Sequence, residues 1–422
     1  MPSDTRPARE MVLRAARLIK RLRYSSSDRL CQNRRFSSDR QPKGSTSREP
    51  SITQASCDMV IFRFQPPSRF HADVVTEVRR YFATRRLSRY GDRRLHAKTA
   101  VLLLWWAASY WLLVFIVHDA WRATILAVSL GFAMAGIGFN ISHDAIHNSY
   151  SRSRRMNGLA SMLSDFIGVS SYLWRWKHNY LHHRYTTIIG IDSDVNPRVF
   201  RGLSPNRPRI GFYRLQPIYL WFLYGFLAMK WHLIGDLSSL IAGRIGDQPI
   251  HRPRRLELAV LLLGKLVFFL WIFGVPLARH PIWVVGVFYS VTAFALGLTS
   301  SVVFQLAHCV EEASFPVSTV EEGGSGAVEV DWAVHQVQCT VDFSQKSKVL
   351  TWFLGGLNFQ IEHHLFPGIC HIHYPALAPI VERCCRRWGI RYSVHRSVSA
   401  AIVSHYHFLG GGASVETHSD VA

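Results

Sequence analysis

The chain has no pattern of paired cysteines: its seven are scattered over 422 residues without regular spacing, Cys384 and Cys385 being adjacent. That excludes a disulfide framework and fits a reducing, cytosolic environment, with Cys309 read as a free buried thiol. Acids are also scarce, 28 against 49 Lys and Arg, which leaves a formal net charge of +21. The cations show no zinc-finger, helix-turn-helix or RNP-like pattern, so nucleic acid is not the implied partner. They flank apolar runs, as they do on the inner side of a membrane where they meet anionic head groups. Residues 1–58 lack the apolar core of a secretory signal and are rich in Arg and Ser. Asp4, Glu10, Asp28, Asp39 and Glu49 depart from an acid-poor transit peptide. A disordered basic arm, or an extension ahead of a start at Met59, is the expectation there. There is no convincing dinucleotide fingerprint and no Glu-x-x-His pair, the motif of soluble helical di-metal sites.

What the chain does have is long apolar runs. After an amphipathic lead-in (59–99), they cover Ala100 to Val117, Ala123 to Ile141, Leu256 to Ala278 and Ile282 to Phe304. Each is long enough to cross a bilayer. Short turns around His118–Arg122 and at Arg279-His280-Pro281 join them in pairs, which predicts two membrane hairpins. The turns are poor in cations, whereas the N-terminal arm and the segment from Ser149 to Arg255 are rich in them. Both termini are therefore expected on the cytosolic side. A fifth apolar stretch, Ile218 to Leu233, is short and broken by Lys230 and His232, and reads as interfacial helix. The expected class is an all-α integral membrane protein with a cytosolic helical cap, its main domain at 100–400 and a tail at 401–422.

Three histidine clusters fall just outside these runs: His143-Asp-Ala-Ile-His147, His178-Asn-Tyr-Leu-His182-His183 and Gln360-Ile-Glu-His363-His364. On a helix, residues four apart share a face, so His143 with His147, and His178 with His182, can meet one ion. A single such pair is more often a solvated or satisfied pair, but three clusters beside apolar segments indicate a metalloenzyme. Many imidazoles suit redox iron better than calcium or magnesium. A membrane metal transporter is the alternative from another class. It would place ionisable groups at mid-membrane depth, whereas here the run interiors are nearly free of charge apart from Lys265.

The order HDxxH, HNxxHH, QxxHH on two hairpins resembles the membrane fatty acid desaturases. The leading Gln360 is similar to the front-end (delta-5/delta-6) and linoleoyl-CoA branch. The resemblance extends from about Phe70 to Val394. It includes His183-Arg-Tyr-Thr-Thr, Gly190-Ile-Asp-Ser-Asp194, Trp332-Ala-Val-His-Gln336 and Gly356-Leu-Asn-Phe-Gln-Ile-Glu-His-His-Leu-Phe-Pro367. It implies a non-haem site of two iron ions held by His143, His147, His178, His182, His183, His363 and His364. His308, beyond the fourth run, matches the family's additional ligand. Gln360 is either a weak ligand or a hydrogen-bond partner of the ligands, the second being favoured because an amide oxygen is the poorer iron ligand. Asp144, Asp192, Asp194 and Glu362 are the candidates for orienting the imidazoles.

An unactivated methylene C–H yields to no side-chain acid or base, so a metal-borne oxidant made from O2 is required. The implied reaction is insertion of a cis double bond into a long acyl chain, using O2 and two electrons. Hydroxylation of an acyl or sphingoid chain is the nearest alternative chemistry. The expected substrate is an acyl-CoA or acyl-lipid, whose phosphate Arg175, Trp176 and Lys177 could meet, although a surface anchor explains them equally. Aromatics such as Trp105-Trp106, Trp111, and Phe132 to Phe139 could line an acyl tunnel or face lipid. No His-Pro-Gly-Gly haem motif precedes residue 100. An external donor, ferredoxin or cytochrome b5 with a reductase, is therefore expected, in a bacterial inner membrane or endoplasmic reticulum.

Overall fold

Among the described residues, four helices are long and apolar enough to cross a membrane: Arg93–Ile116, Ala120–Ile146, Arg255–Leu277 and Ile282–His308. They are seen in a computed structural model that describes residues 62–188, 190–195, 215–316, 319–320 and 326–411. The basic arm expected over 1–58 lies outside the described residues. Asp92 and Asp119 cap the first two spans, their carboxylates accepting the N–H groups of Arg94 and Arg122. The second span does not stop at Ile141, where its apolar run ends. Its helix continues through a π turn, Gly138–Ser142, into the first histidine cluster.

The second and fourth spans cross closely because small residues meet there. A Cβ on Gly131 would fall 2.6 Å from the Thr292 carbonyl oxygen and 2.8 Å from Ala295. Thr292 donates its hydroxyl to the Ala127 carbonyl at 3.0 Å. At one end the two inter-span turns touch, His280 donating to the Val114 carbonyl at 2.8 Å and Arg279 lying over Phe115. His143 and His308 therefore leave their helices together at the other end.

The stretch from Ile218 to Leu233 is broken into helices Gln216–Tyr224 and Leu227–Lys230 with a following π turn. Its Ile218, Phe222, Phe226 and Leu233 are exposed. The boundary expected near residue 400 falls inside a helix, Val398–Gly410, which packs on Gln216–Tyr224. Short strands were not anticipated. Phe62–Gln65 pairs in parallel with Gly326–Asp331, which pairs antiparallel with Thr319–Val320. The parallel pairing joins segments more than 250 residues apart and leaves no local period to read. Helices Arg69–Arg85, Gln360–Leu365 and Tyr374–Arg387 share one apolar cluster that buries Phe70, Val74, Ile361, Leu365 and Val381.

A buried polar seam ties the third span to the helix carrying the second cluster. Lys265 pairs with Asp236 at 2.8 Å and donates to the Gly168 and Trp231 carbonyls. Asp236 accepts the Ser170 N–H, and Asp165 that of Ser171, at the start of helix Ser171–Arg175. Burial pushes the Asp165 carboxyl up to about 6; the Ser171 bonds oppose this, Asp236 adds to it and Lys265 opposes it. A raised carboxyl favours the folded state fully below its unfolded value, and that contribution is lost as pH rises through about 6. Asp165→Asn should thus match wild type near pH 4. By pH 7.5 it should be more stable by on the order of 1–3 kcal/mol, read by denaturant unfolding in micelles.

Candidate metal centre

The second cluster lies on a π-helix, Trp176–His182, and not on the α-helix that four-residue spacing suggests. The wider turn places residues five apart on one face: the His183 N–H donates to the His178 carbonyl at 2.9 Å, and their Nε2 atoms are 3.2 Å apart. A π turn is a known device at functional sites. Here it lets His178, His182 and His183 all point inward.

Across the fold, eight histidines converge. His143, His147, His178 and His363 bring one nitrogen each within 4.8 Å of one another, and so do His182, His308 and His364. His183 joins His363 and His364 in a third such group and so lies at the seam between the other two. All are buried except His147, which is half-buried. His143 and His178 bring their Nε2 atoms to 2.9 Å.

The outer nitrogens explain which atoms face inward. His182 donates Nδ1–H to Asp192 at 3.0 Å, His308 to the Cys339 carbonyl at 3.3 Å, and His364 to Gln336 Oε1 at 2.8 Å. His363 Nδ1 is 3.2 Å from the Tyr374 hydroxyl. The bonds to acceptors set the tautomers of His182, His308 and His364. Nε2 of His147, His363 and His364 is buried without a partner. Buried nitrogens without a partner, aimed at one another, are what a cation requires and a protein otherwise avoids. The donor set is nearly all imidazole, which fits a first-row transition metal.

Electrostatics agree. Burial, reinforced by repulsion among neighbours, holds His147, His178, His183, His363 and His364 well below the ordinary imidazole range, so each keeps a free lone pair. His182 differs: burial works against its charge, but Asp192 and Asp194 outweigh it and raise its pKa.

The expected orienting acids divide. Asp192 bonds His182, while Asp194 lies 3.8 Å from it and is tied to Lys177. Asp144 instead accepts from His371 and Cys370, with Lys98 bonded to the far side of His371. The Tyr392 hydroxyl lies between Glu362 and Asp342, 2.9 Å from the first and 2.8 Å from the second. Gln360 is buried, its Oε1 without a partner. Cys309 is a buried thiol outside the histidine groups. Sequence reasoning missed Gln336 and Tyr374; the first stood in a quoted motif, Trp332-Ala-Val-His-Gln336, while nothing local marks Tyr374.

The sequence model for the family described as fatty acid desaturase matches residues 119–396 and so includes all three clusters and His308. The chain belongs to the fatty acid desaturase family. Relatives place this desaturase more finely. It is 38% identical over 333 residues to the sn-1 linoleoyl-lipid 6-desaturase of Synechocystis sp., covering 78% of this chain and 91% of the relative. The protein of the same name from Arthrospira platensis is 34% identical, over 81% of this chain and 91% of its own length. The acyl-lipid (8-3)-desaturase of Physcomitrium patens is 33% identical, over 81% of this chain and 71% of the relative. The desaturase is thus an oxidoreductase of the front-end group, a membrane protein that acts on acyl chains with O2.

Asp192 is the test of the second-nitrogen bonds. Asp192→Asn should leave the fold intact and weaken metal binding about 10–100-fold, read by metal retention against a graded chelator.

Proposed function

We propose that this desaturase inserts a cis double bond into the acyl chain of a membrane lipid, on the carboxyl side of an existing double bond. The observation carrying this reading is the pair of histidine groups, with the outer nitrogens of His182, His308 and His364 already engaged. The names of the relatives favour an acyl-lipid over an acyl-CoA substrate and a position near the carboxyl end.

In this reading His143, His147, His178 and His363 hold one iron, and His182, His308 and His364 the other, with His183 between them. Two irons would supply, from O2 and two electrons, an oxidant able to take hydrogen from an unactivated methylene. The protein's own residues fix where that happens. Asp192, Gln336 and the Cys339 carbonyl hold the imidazoles in one tautomer and orientation. The four spans deliver the first cluster and His308 at one end of an apolar bundle, the end at which a lipid's acyl chain would have to present its methylenes. Small displacements of the chain change which carbon is attacked, so position is a matter of positioning and not of different chemistry.

The spans cross the membrane as two hairpins, with the cations of the 149–255 segment on the cytosolic side. The centre therefore faces the cytosol, and the electrons come from a separate soluble or membrane-bound carrier.

Gas chromatography–mass spectrometry of lipids from a host fed linoleic acid tests this. A new double bond between the carboxyl group and the existing ones, found at sn-1, is expected. His363→Ala should lower it at least 100-fold, of the order seen when an essential group is lost. A hydroxy acid, or unchanged product from the variant, would contradict the proposal.

A further inference from the structure

Electrons must cross from the surface to buried ligands, and one side chain bridges that distance. Trp332 is partly exposed, and its indole N–H donates to the carbonyl oxygen of His183 at 3.3 Å. His183 sits at the seam between the two histidine groups. From indole to imidazole the path is therefore one hydrogen bond and the covalent bonds of a single residue. Trp174 also touches the centre, its ring 6.1 Å from that of His143 and 6.0 Å from that of His178, but only by packing.

Three arginines lie on the segments that flank Trp332. Arg184 follows His183 directly and is exposed. Arg69 begins the helix whose cap, Ser68, donates its N–H to Asp331, the residue before Trp332. Arg63 lies on the strand paired with Gly326–Asp331, opposite Ala327. All three arginines are exposed, and none forms an ion pair among the described residues. One carboxylate, Glu329, is exposed on that strand. Asp331 is buried as a helix cap, and Asp73 nearby is engaged by Arg387 and Trp388. Exposed charge that is mainly of one sign near an aromatic group that reaches a ligand is an arrangement that steers and orients an oppositely charged partner.

We propose that Trp332 is the electron-input residue of this desaturase, and that Arg63, Arg69 and Arg184 dock an acidic one-electron carrier protein over it. The inference rests on the reading of the histidine groups as a redox iron site. Each carrier is oxidised by one electron, and two successive carriers supply a turnover. Those two electrons, with two protons and the two hydrogens lost from the acyl chain, reduce O2 to two waters. Trp332 ends each transfer unchanged, as a bridge.

The test uses the full-length, iron-loaded protein in zwitterionic nanodiscs, with a [2Fe–2S] ferredoxin as probe and dithionite as small reductant. Iron content and acyl product of the wild type report on the parent reading. The ratio of ferredoxin-driven to dithionite-driven reduction, followed anaerobically by stopped flow, reports on the input route alone. Trp332→Leu should lower that ratio at least 10-fold with iron retained, and Trp332→Phe, which keeps the ring but loses the N–H, should fall between. The Arg63→Glu/Arg69→Glu double variant should raise the Kd for oxidised ferredoxin at least 10-fold at low salt and flatten its salt dependence. An unchanged ratio in Trp332→Leu would overturn the proposal, as would a ratio that falls in Trp174→Leu instead. So would charge reversal that weakens binding to anionic vesicles while leaving the ferredoxin Kd intact.

Discussion

The structure depends on one electrostatic constraint: eight imidazoles are packed together in a site almost closed to water, most of them held neutral. A neutral imidazole can satisfy its N–H with an acceptor, and here His182, His364 and His308 do so with Asp192, Gln336 and the Cys339 carbonyl. The inner lone pairs can then only repel one another or meet a cation. Placing the orienting groups outside the cluster therefore commits its interior to metal. Only Asp192 among those groups carries a charge, which keeps the interior electron-rich without adding carboxylate ligands.

The rest of the fold holds these imidazoles in place from several directions. Close crossing at Gly131 fixes the second span against the fourth, so that His143 and His308 emerge side by side. The Lys265–Asp236 pair and Ser170 hold the start of the helix carrying the second cluster. Asp342 accepts the Ile361 N–H and so anchors the third cluster, which two amphipathic helices cover. A buried ion pair such as Lys265–Asp236 adds little net stability, but removing one partner is costly, and that asymmetry gives it positional authority.

Much of this could be read in the chain beforehand, and the reasons for the exceptions are physical. The four spans and the histidine clusters announce themselves through apolar length and residue spacing, which act locally. The helical class and the family followed from them. The π-helical turn at Trp176–His182 did not, because five-residue register has no distinct side-chain signature beside the four-residue one. Asp144 offered the same ambiguity. Its position within the first cluster made it a candidate for orienting the imidazoles, but the fold turns it toward His371 and Cys370, more than 220 residues away. Tyr374, Lys98 and the small sheet likewise depend on contacts between distant segments, which no local pattern encodes.

The central claim is that the histidine groups form one two-iron centre ligated almost wholly by nitrogen. Iron X-ray absorption on the purified protein, with metal stoichiometry measured on the same sample, tests it most directly. The account predicts two irons per chain and a first shell dominated by imidazole, with a second metal at short range. A single metal per chain, or a shell dominated by carboxylate oxygen or sulfur, would contradict it.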